Sequence, residues 1–180
     1  MLSNKDLKKI TNQKVLVIGD IILDKYIYGS VDKISPEAPV PILVEQKIEY
    51  KLGGAANVAA NVASLGNKVY LTGFVGKDDN AIIFDNLCIN KKIMNYVCHI
   101  EGGTIIKTRI ISNDQQMIRI DKEQLYIKEK AKEYLSDRMN AFADYDVIII
   151  SDYAKGVITK EIMDKVVASG IPVVVDPKPV

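Results

Sequence analysis

The sequence predicts an α/β fold, with a central, mostly parallel sheet flanked by helices and a small second sheet attached to it. Three observations predict it. Short apolar, β-branched runs at residues 14–19, 147–150 and 173–175 end at Asp20, at Ser151-Asp152 and at Asp176, as buried parallel strands do when their carboxyl ends open into a site. Helical patterns separate these runs. Two extended segments precede the first helix and a β-rich pair follows later, which departs from plain β-α-β alternation and implies a strand-built appendage.

In chain order, residues 14–20 form the first core strand. Residues 21–28 and 40–45 are strands separated by 29–39, where Pro36 and Pro39 interrupt. A helix follows over 55–65, because Ala55, Ala56, Val58, Ala59, Val62, Ala63 and Leu65 recur at helical spacing and Gly66 suits a left-handed cap. Residues 69–72 are a strand, 79–89 a helix opening on acidic residues, and 96–100 a strand running into Gly102-Gly103. Residues 104–112 and 115–121 make a hairpin across Asn113-Asp114, a pair that tolerates tight-turn geometry, and this hairpin extends the appendage. A charged helix over 128–142 keeps one apolar stripe of Ala131, Leu135, Met139 and Phe142. Strand 147–151, helix 159–169 with Thr159 as N-cap, and strand 173–176 complete the pattern.

Composition narrows the function. The chain has 180 residues with 24 Lys+Arg against 23 Asp+Glu, a formal charge of +1, which supplies no strong field for nucleic acid or an anionic membrane. At 48% hydrophobic and 26% charged residues it is unlike a disordered chain and is expected to be one domain. No apolar stretch approaches the roughly 20 residues of a membrane span. Residues 1–14 lack the apolar core of a secretory signal, so a cytoplasmic protein is expected. Cys88 and Cys98 have no zinc-type spacing and are expected to be structural thiols, and His99, the one histidine, has no metal-ligand neighbours in sequence.

Gly53-Gly-Ala-Ala-Asn57 opens the first helix, either as a place where a ligand approaches the backbone or as a tight, closely packed loop. Asn57 offers a donor and an acceptor to a polyol. Ligands of open α/β sheets bind beyond the carboxyl ends of strands, so Asp20 and this loop converge on one crevice. Asp20 and Asp24 share a face if the segment between them is extended; they either accept hydrogen bonds from sugar hydroxyls or are a strand-end and a solvent carboxylate. Lys107, Arg109 and Arg119 lie in the hairpin, with Lys107 and Arg109 on one face, as phosphate ligands or as ordinary strand-surface cations. The dinucleotide fingerprint, the Walker phosphate loop and the nucleophile elbow are all missing from the sequence.

Gly53–Gly66 followed by Gly73-Phe-Val-Gly-Lys-Asp78 resembles the N-terminal signature of the ribokinase-like (phosphofructokinase B) carbohydrate kinases, whose lid matches the two strands ahead of the helix. Gly19-Asp-Ile-Ile-Leu-Asp24, Ile34-Ser-Pro-Glu-Ala-Pro-Val-Pro41, Gln115-Gln-Met-Ile-Arg-Ile-Asp121, Ser151-Asp-Tyr-Ala-Lys-Gly156 and Asp176-Pro-Lys178 are more specific, and resemble the members acting on D-glycero-D-manno-heptose 7-phosphate. The resemblance covers about residues 14–178.

It implies transfer of the γ-phosphoryl group of Mg-ATP to the anomeric hydroxyl of that heptose phosphate, on the route to ADP-heptose and lipopolysaccharide core. Asp20, Gly53, Gly54 and Asn57 would then hold sugar hydroxyls, under a lid built from 21–28, 40–45, 104–112 and 115–121 that excludes water. Asp24 and Asp152 join the substrate-binding set, while Lys107, Arg109, Arg119, Lys155 and Lys178 are candidates for the sugar phosphate; Lys155 and Lys178 have ATP phosphates or solvent as alternatives. A homodimer through the lid is also implied. The family's Asn-x-x-Glu motif and its Gly-Ala-Gly-Asp anion hole with the catalytic base are not in these 180 residues, and Pro179-Val180 stands where Gly is usual. The expectation is therefore the N-terminal part of one kinase domain, the C-terminal half of the fold being absent. By itself it would be inactive, with no catalytic base, no metal ligand and no tightly bound cofactor of its own, and a separate C-terminal half is a candidate partner. Another sugar or nucleoside kinase of this fold, or a non-catalytic remnant that binds sugar phosphate or dimerises, are the alternatives.

Overall fold

The computed structural model describes residues 10–123 and 144–178, so the helix expected at 128–142 lies outside the described residues. The elements in chain order are β1 (Lys14–Gly19), β2 (Ile21–Ile34), β3 (Pro41–Gly54), α1 (Ala55–Ser64), β4 (Lys68–Thr72), β5 (Phe74–Gly76), α2 (Asp79–Asn90), β6 (Met94–Asn95), β7 (Cys98–Ile100), β8 (Ile106–Ser112), β9 (Gln115–Lys122), β10 (Val147–Asp152), α3 (Lys160–Ala168) and β11 (Val173–Pro177). The central sheet has five strands in the order β11-β10-β1-β4-β6, all paired in parallel.

Successive residues of a strand face opposite sides of its sheet, and both sides of β1 are covered. Val15 and Val17 pack with Val69, Leu71, α1 (Ala55, Ala56, Ala59) and α2 (Ala81, Phe84, Cys88). Leu16 and Ile18 pack with Ile148, Ile150 and α3 (Ile162, Val166). That is why the first run is apolar without alternation. The small residues of α1 set it close to the sheet: a Cβ at Gly19 would collide with the Ser151 carbonyl oxygen and press on Ala55. Side-chain caps start the other two helices, where Asp78 accepts from Ala81 N at 3.1 Å and Thr159 from Ile162 N at 3.3 Å.

The appendage is a separate four-stranded sheet, ordered β3-β2-β8-β9. Its first two strands are longer than the expected 21–28 and 40–45. They pair antiparallel from Ile21 opposite Gly54 to Ile34 opposite Pro41, with register shifts at Tyr28/Gly29 and Ser30/Lys33 that the ladder survives. Residues 47–52 alternate polar and apolar, and that period of two carries β3 up to the glycine pair that opens α1. β8 joins β2 in parallel and β9 returns antiparallel. Asn113 and Asp114 both have positive φ, 48° and 59°, as a two-residue type I′ turn requires.

The strand expected at 96–100 begins only at Cys98, and a two-residue strand, β6, lies just ahead of the expected range. β6 ends on the central sheet, Asn95 caps the break by accepting from Val97 N at 3.0 Å, and β7 pairs instead with β5, a strand the sequence reading did not contain.

Register sorts the appended sheet into two faces. Asp24, Tyr26, Glu49, Lys51, Lys107, Arg109, Arg119 and Asp121 share one; Ile27, Ile48, Tyr50, Ile110, Ile118 and Ile120 share the other. Ile48, Ile118 and Ile120 are exposed.

Candidate functional site

β1 ends at Asp20, which is completely buried. Its Oδ2 accepts from the backbone N–H groups of Tyr153 (2.7 Å) and Lys155 (3.1 Å), and its Oδ1 from that of Val157 (3.3 Å). Burial pushes its pKa above the ordinary value of 3.8, against the pull of those three donors, and nearby Asp152 pushes the same way. Asp152 accepts from Ala154 N at 2.8 Å, and Ala154 takes a left-handed φ of 56°, so the loop after β10 is wound tightly round the Asp20 carboxylate. Asp20 was expected to hold sugar hydroxyls; in this structure its oxygens are occupied by the loop.

The Gly53-Gly54 pair lies beside it. The carbonyl oxygen of Asp20 accepts from Ala55 N at 3.0 Å, at the start of α1. Gly54 has φ 55°, and a Cβ there would collide with that same carbonyl oxygen. A Cβ on Gly53 would collide with the Asp24 carboxylate. Both glycines thus serve close packing between β1, β2 and α1, which brings the Asp24 carboxylate against the head of the helix. Asn57 sits in the first turn of α1 with its side chain exposed.

On the polar lid face every expected cation has a carboxylate partner. Arg109 meets Asp24 at 2.5 Å and lies over the Tyr26 ring, 5.2 Å from its centroid, with Lys51 also over that ring at 4.8 Å. The Asp24 contact holds the Arg109 pKa above its ordinary value. Arg119 and Lys107 share Asp121, at 2.9 and 3.0 Å. Lys155 reaches from the core loop to Glu123 at 2.7 Å. Lys178, by contrast, is exposed and joins the group only through its backbone N–H to the Asp152 carbonyl, 2.8 Å.

The structure therefore brings Asp20, Asp24, Gly53 and Gly54 to one junction and Lys107, Arg109 and Arg119 to one lid face. Asp152 and Lys155 enter through the loop that Asp20 holds. Sequence reasoning did not single out Asp121, Glu123 or Tyr26 as partners. Alternation along the hairpin puts Asp121 on the Lys107 face, but Glu123 lies past the strand and carries no pattern. Elsewhere, His99 is exposed with Nε2 3.3 Å from Asp85, and burial pushes the Cys88 thiol up to about 12, which leaves it inert. Among the described residues no helix is long and apolar enough to cross a membrane.

A parallel sheet with carboxylates and a glycine-led helix start at its carboxyl ends, roofed by a second sheet rich in cations, defines a lidded α/β ligand-binding protein. The chain belongs to the pfkB family of carbohydrate kinases, whose model matches residues 12–180. It is similar to the bifunctional protein HldE of Shewanella sediminis, 45% identical over 172 residues, covering 92% of this chain and 35% of that protein. HldE of Gluconobacter oxydans is 44% identical over 174 residues, covering 92% and 36%. The chain thus spans about a third of the length of the curated relatives it matches. Among solved structures, phosphofructokinase-2 from Escherichia coli in complex with fructose-6-phosphate superposes with a TM-score of 0.72 at 16% identity, over 94% of this chain and 55% of that one. A carbohydrate kinase from Agrobacterium tumefaciens gives 0.70 at 17%, over 91% and 53%. The ribokinase-like fold is thereby shown, with about half of those chains matched.

Proposed function

We propose that this chain supplies the sugar side of a kinase that transfers the γ-phosphoryl group of ATP to the anomeric hydroxyl of D-glycero-D-manno-heptose 7-phosphate. The observation that carries the reading is the cationic lid face beside Asp24 and the head of α1: a neutral sugar needs no such cations, whereas a sugar phosphate does. The 39–45% identity to HldE proteins supports it. Asp24, Asn57 and the backbone at Gly53-Gly54 would orient the sugar hydroxyls, and the lid would keep water from competing as acceptor. Mg-ATP supplies the phosphoryl group when bound; the 180 residues contain neither Gly-Ala-Gly-Asp nor Asn-x-x-Glu, so no donor or base step is assigned to them. The exposed apolar lid face fits a homodimer made through the lid, and a sugar-nucleotide route of this kind fits the cytoplasm.

The test is phosphorus NMR of this chain joined to a segment that carries the family's Asn-x-x-Glu and Gly-Ala-Gly-Asp motifs, incubated with Mg-ATP and each of heptose 7-phosphate, fructose 6-phosphate, ribose and adenosine. A new anomeric phosphate resonance with the heptose, formed faster than any other product, is expected. Faster turnover of any of the other three would overturn the assignment.

A further inference from the structure

Two largely buried lysines approach one another across the gap between lid and core, and a single glutamate stands between them. Lys155 comes from the core loop and Lys107 from β8 of the lid; their side chains are 11% and 17% exposed, whereas that of Glu123 is 46% exposed. Glu123 contacts Lys155 at 2.7 Å and lies 3.9 Å from Lys107. Two cations so far removed from water require anions: Lys107 has Asp121 at 3.0 Å, and the glutamate that both lysines reach comes from their more exposed side.

The three groups are not equally fixed. The backbone of Lys155 is pinned on both sides by the Asp20 carboxylate, which accepts from the N–H groups of Tyr153, Lys155 and Val157. Lys107 sits within the β8 ladder, opposite Asp24 of β2, so its backbone is one strand spacing, about 5 Å, from that of Asp24, whose carboxylate covers Gly53. Glu123 follows the last residue of β9 and belongs to no ladder. Its carboxylate is held below its ordinary range chiefly by the hydrogen bond from Lys155.

We propose that Lys107 and Lys155 are the specificity-determining pair for the phosphate of the substrate, and that Glu123 occupies their anion position until the sugar phosphate displaces it. This rests on the sugar-phosphate reading above and deepens it by selecting two of the five candidate cations. Arg109 is committed to Asp24 and to the Tyr26 ring, Arg119 is more exposed than Lys107, with which it shares Asp121, and Lys178 is exposed and tied to β10 through its backbone N–H. A phosphate dianion offers three oxygens where the carboxylate offers two, and Glu123 can turn to solvent. Because one lysine belongs to the lid and the other to the core, the incoming phosphate bridges them and couples recognition to closure.

The experiment measures, by calorimetry on the intact protein, the affinities for heptose 7-phosphate and for the unphosphorylated heptose in wild type, E123Q, K107M and K155M. E123Q is expected to tighten the phosphorylated sugar several-fold and leave the parent sugar unchanged. K107M and K155M are each expected to weaken the phosphorylated sugar about tenfold with little effect on its parent, as loss of one charge-assisted hydrogen bond implies. K107M, on the lid, decides the matter if K155M does not fold. An unchanged ratio of the two affinities in E123Q and K107M overturns the pair. If wild type prefers another sugar phosphate, the heptose assignment fails while the same ratio, measured with that sugar and its parent, still judges the pair. No preference for any phosphorylated sugar in wild type overturns both.

Discussion

Gly54 shows how a single position ties the chain together. Its φ of 55° suits glycine, and a side chain there would strike the Asp20 carbonyl oxygen that receives the first N–H of α1. Gly54→Ala combines left-handed strain with overpacking and is expected to lower unfolding free energy by about 2–4 kcal/mol, read from urea denaturation. Asn57 is the opposite case, exposed and structurally idle. In a kinase completed with its ATP-binding part, Asn57→Ala should leave the melting temperature at the wild-type value and weaken sugar binding by about 1–3 kcal/mol, with ATP affinity unchanged, by calorimetry. Equal losses for sugar and ATP would remove Asn57 from the sugar side. At this scale the candidate site was legible where a residue type advertises its chemistry, as with Asp24 and the hairpin cations. It was not legible for Asp20, whose donors lie 133 to 137 residues away and are backbone groups common to every sequence.

Among elements, the lid depends on carboxylates more than the core does. Burial disfavours ionised Asp78 and Asp121, but the hydrogen bonds from Thr104, Asn80 and Ala81 to the first, and the hydrogen bonds and positive charges of Lys107 and Arg119 at the second, together outweigh it, so both pKa values fall below 3.8. The Lys155 hydrogen bond likewise holds Glu123 below 4.5. Groups whose pKa is depressed by folding contribute stability that is fully present above the ordinary value and is lost as pH falls through the folded one. Asp20 runs the other way: its raised pKa makes its contribution largest below 3.8 and removes it as pH rises through the folded value. Urea midpoints taken from pH 6 downward should therefore fall less steeply in D121N and E123Q than in wild type, and parallel curves would show that the lid pairs contribute nothing to stability. Element type and order followed from hydrophobic period, and helix starts from caps. Strand length did not, because β2 and β3 continue past a register shift that only pairing with each other makes tolerable.

For the molecule as a whole, the lid sheet has one face committed to ion pairs and another of Ile27, Ile48, Tyr50, Ile110, Ile118 and Ile120. Contiguous exposed apolar surface on a sheet face marks an interaction surface. If that surface is where two lids meet, Ile118→Lys and Ile120→Lys should each convert a dimeric intact protein to monomer in sedimentation velocity without altering its far-ultraviolet circular dichroism. A wild-type protein that is monomeric at tens of micromolar, about the range where a weak but specific interface is populated, would exclude the lid dimer.

The sequence by itself determined the α/β class, the strands at 14–20, 147–151 and 173–176, the helices that follow the glycine pair and Thr159, and the tight turn at Asn113-Asp114; the third strand was expected to be buried, but it lies at the sheet edge with Val174 and Val175 exposed. Each rests on local physics: a period, a cap or a permitted φ. Only the tertiary structure decided that the Asp20 carboxylate is held by a loop, that residues 98–100 pair with β5 away from the central sheet, and that Lys107 and Lys155 meet at Glu123. Those facts depend on which distant segments the parallel sheet brings side by side, and each partner's preference for the other is paid only after the chain between them has been ordered.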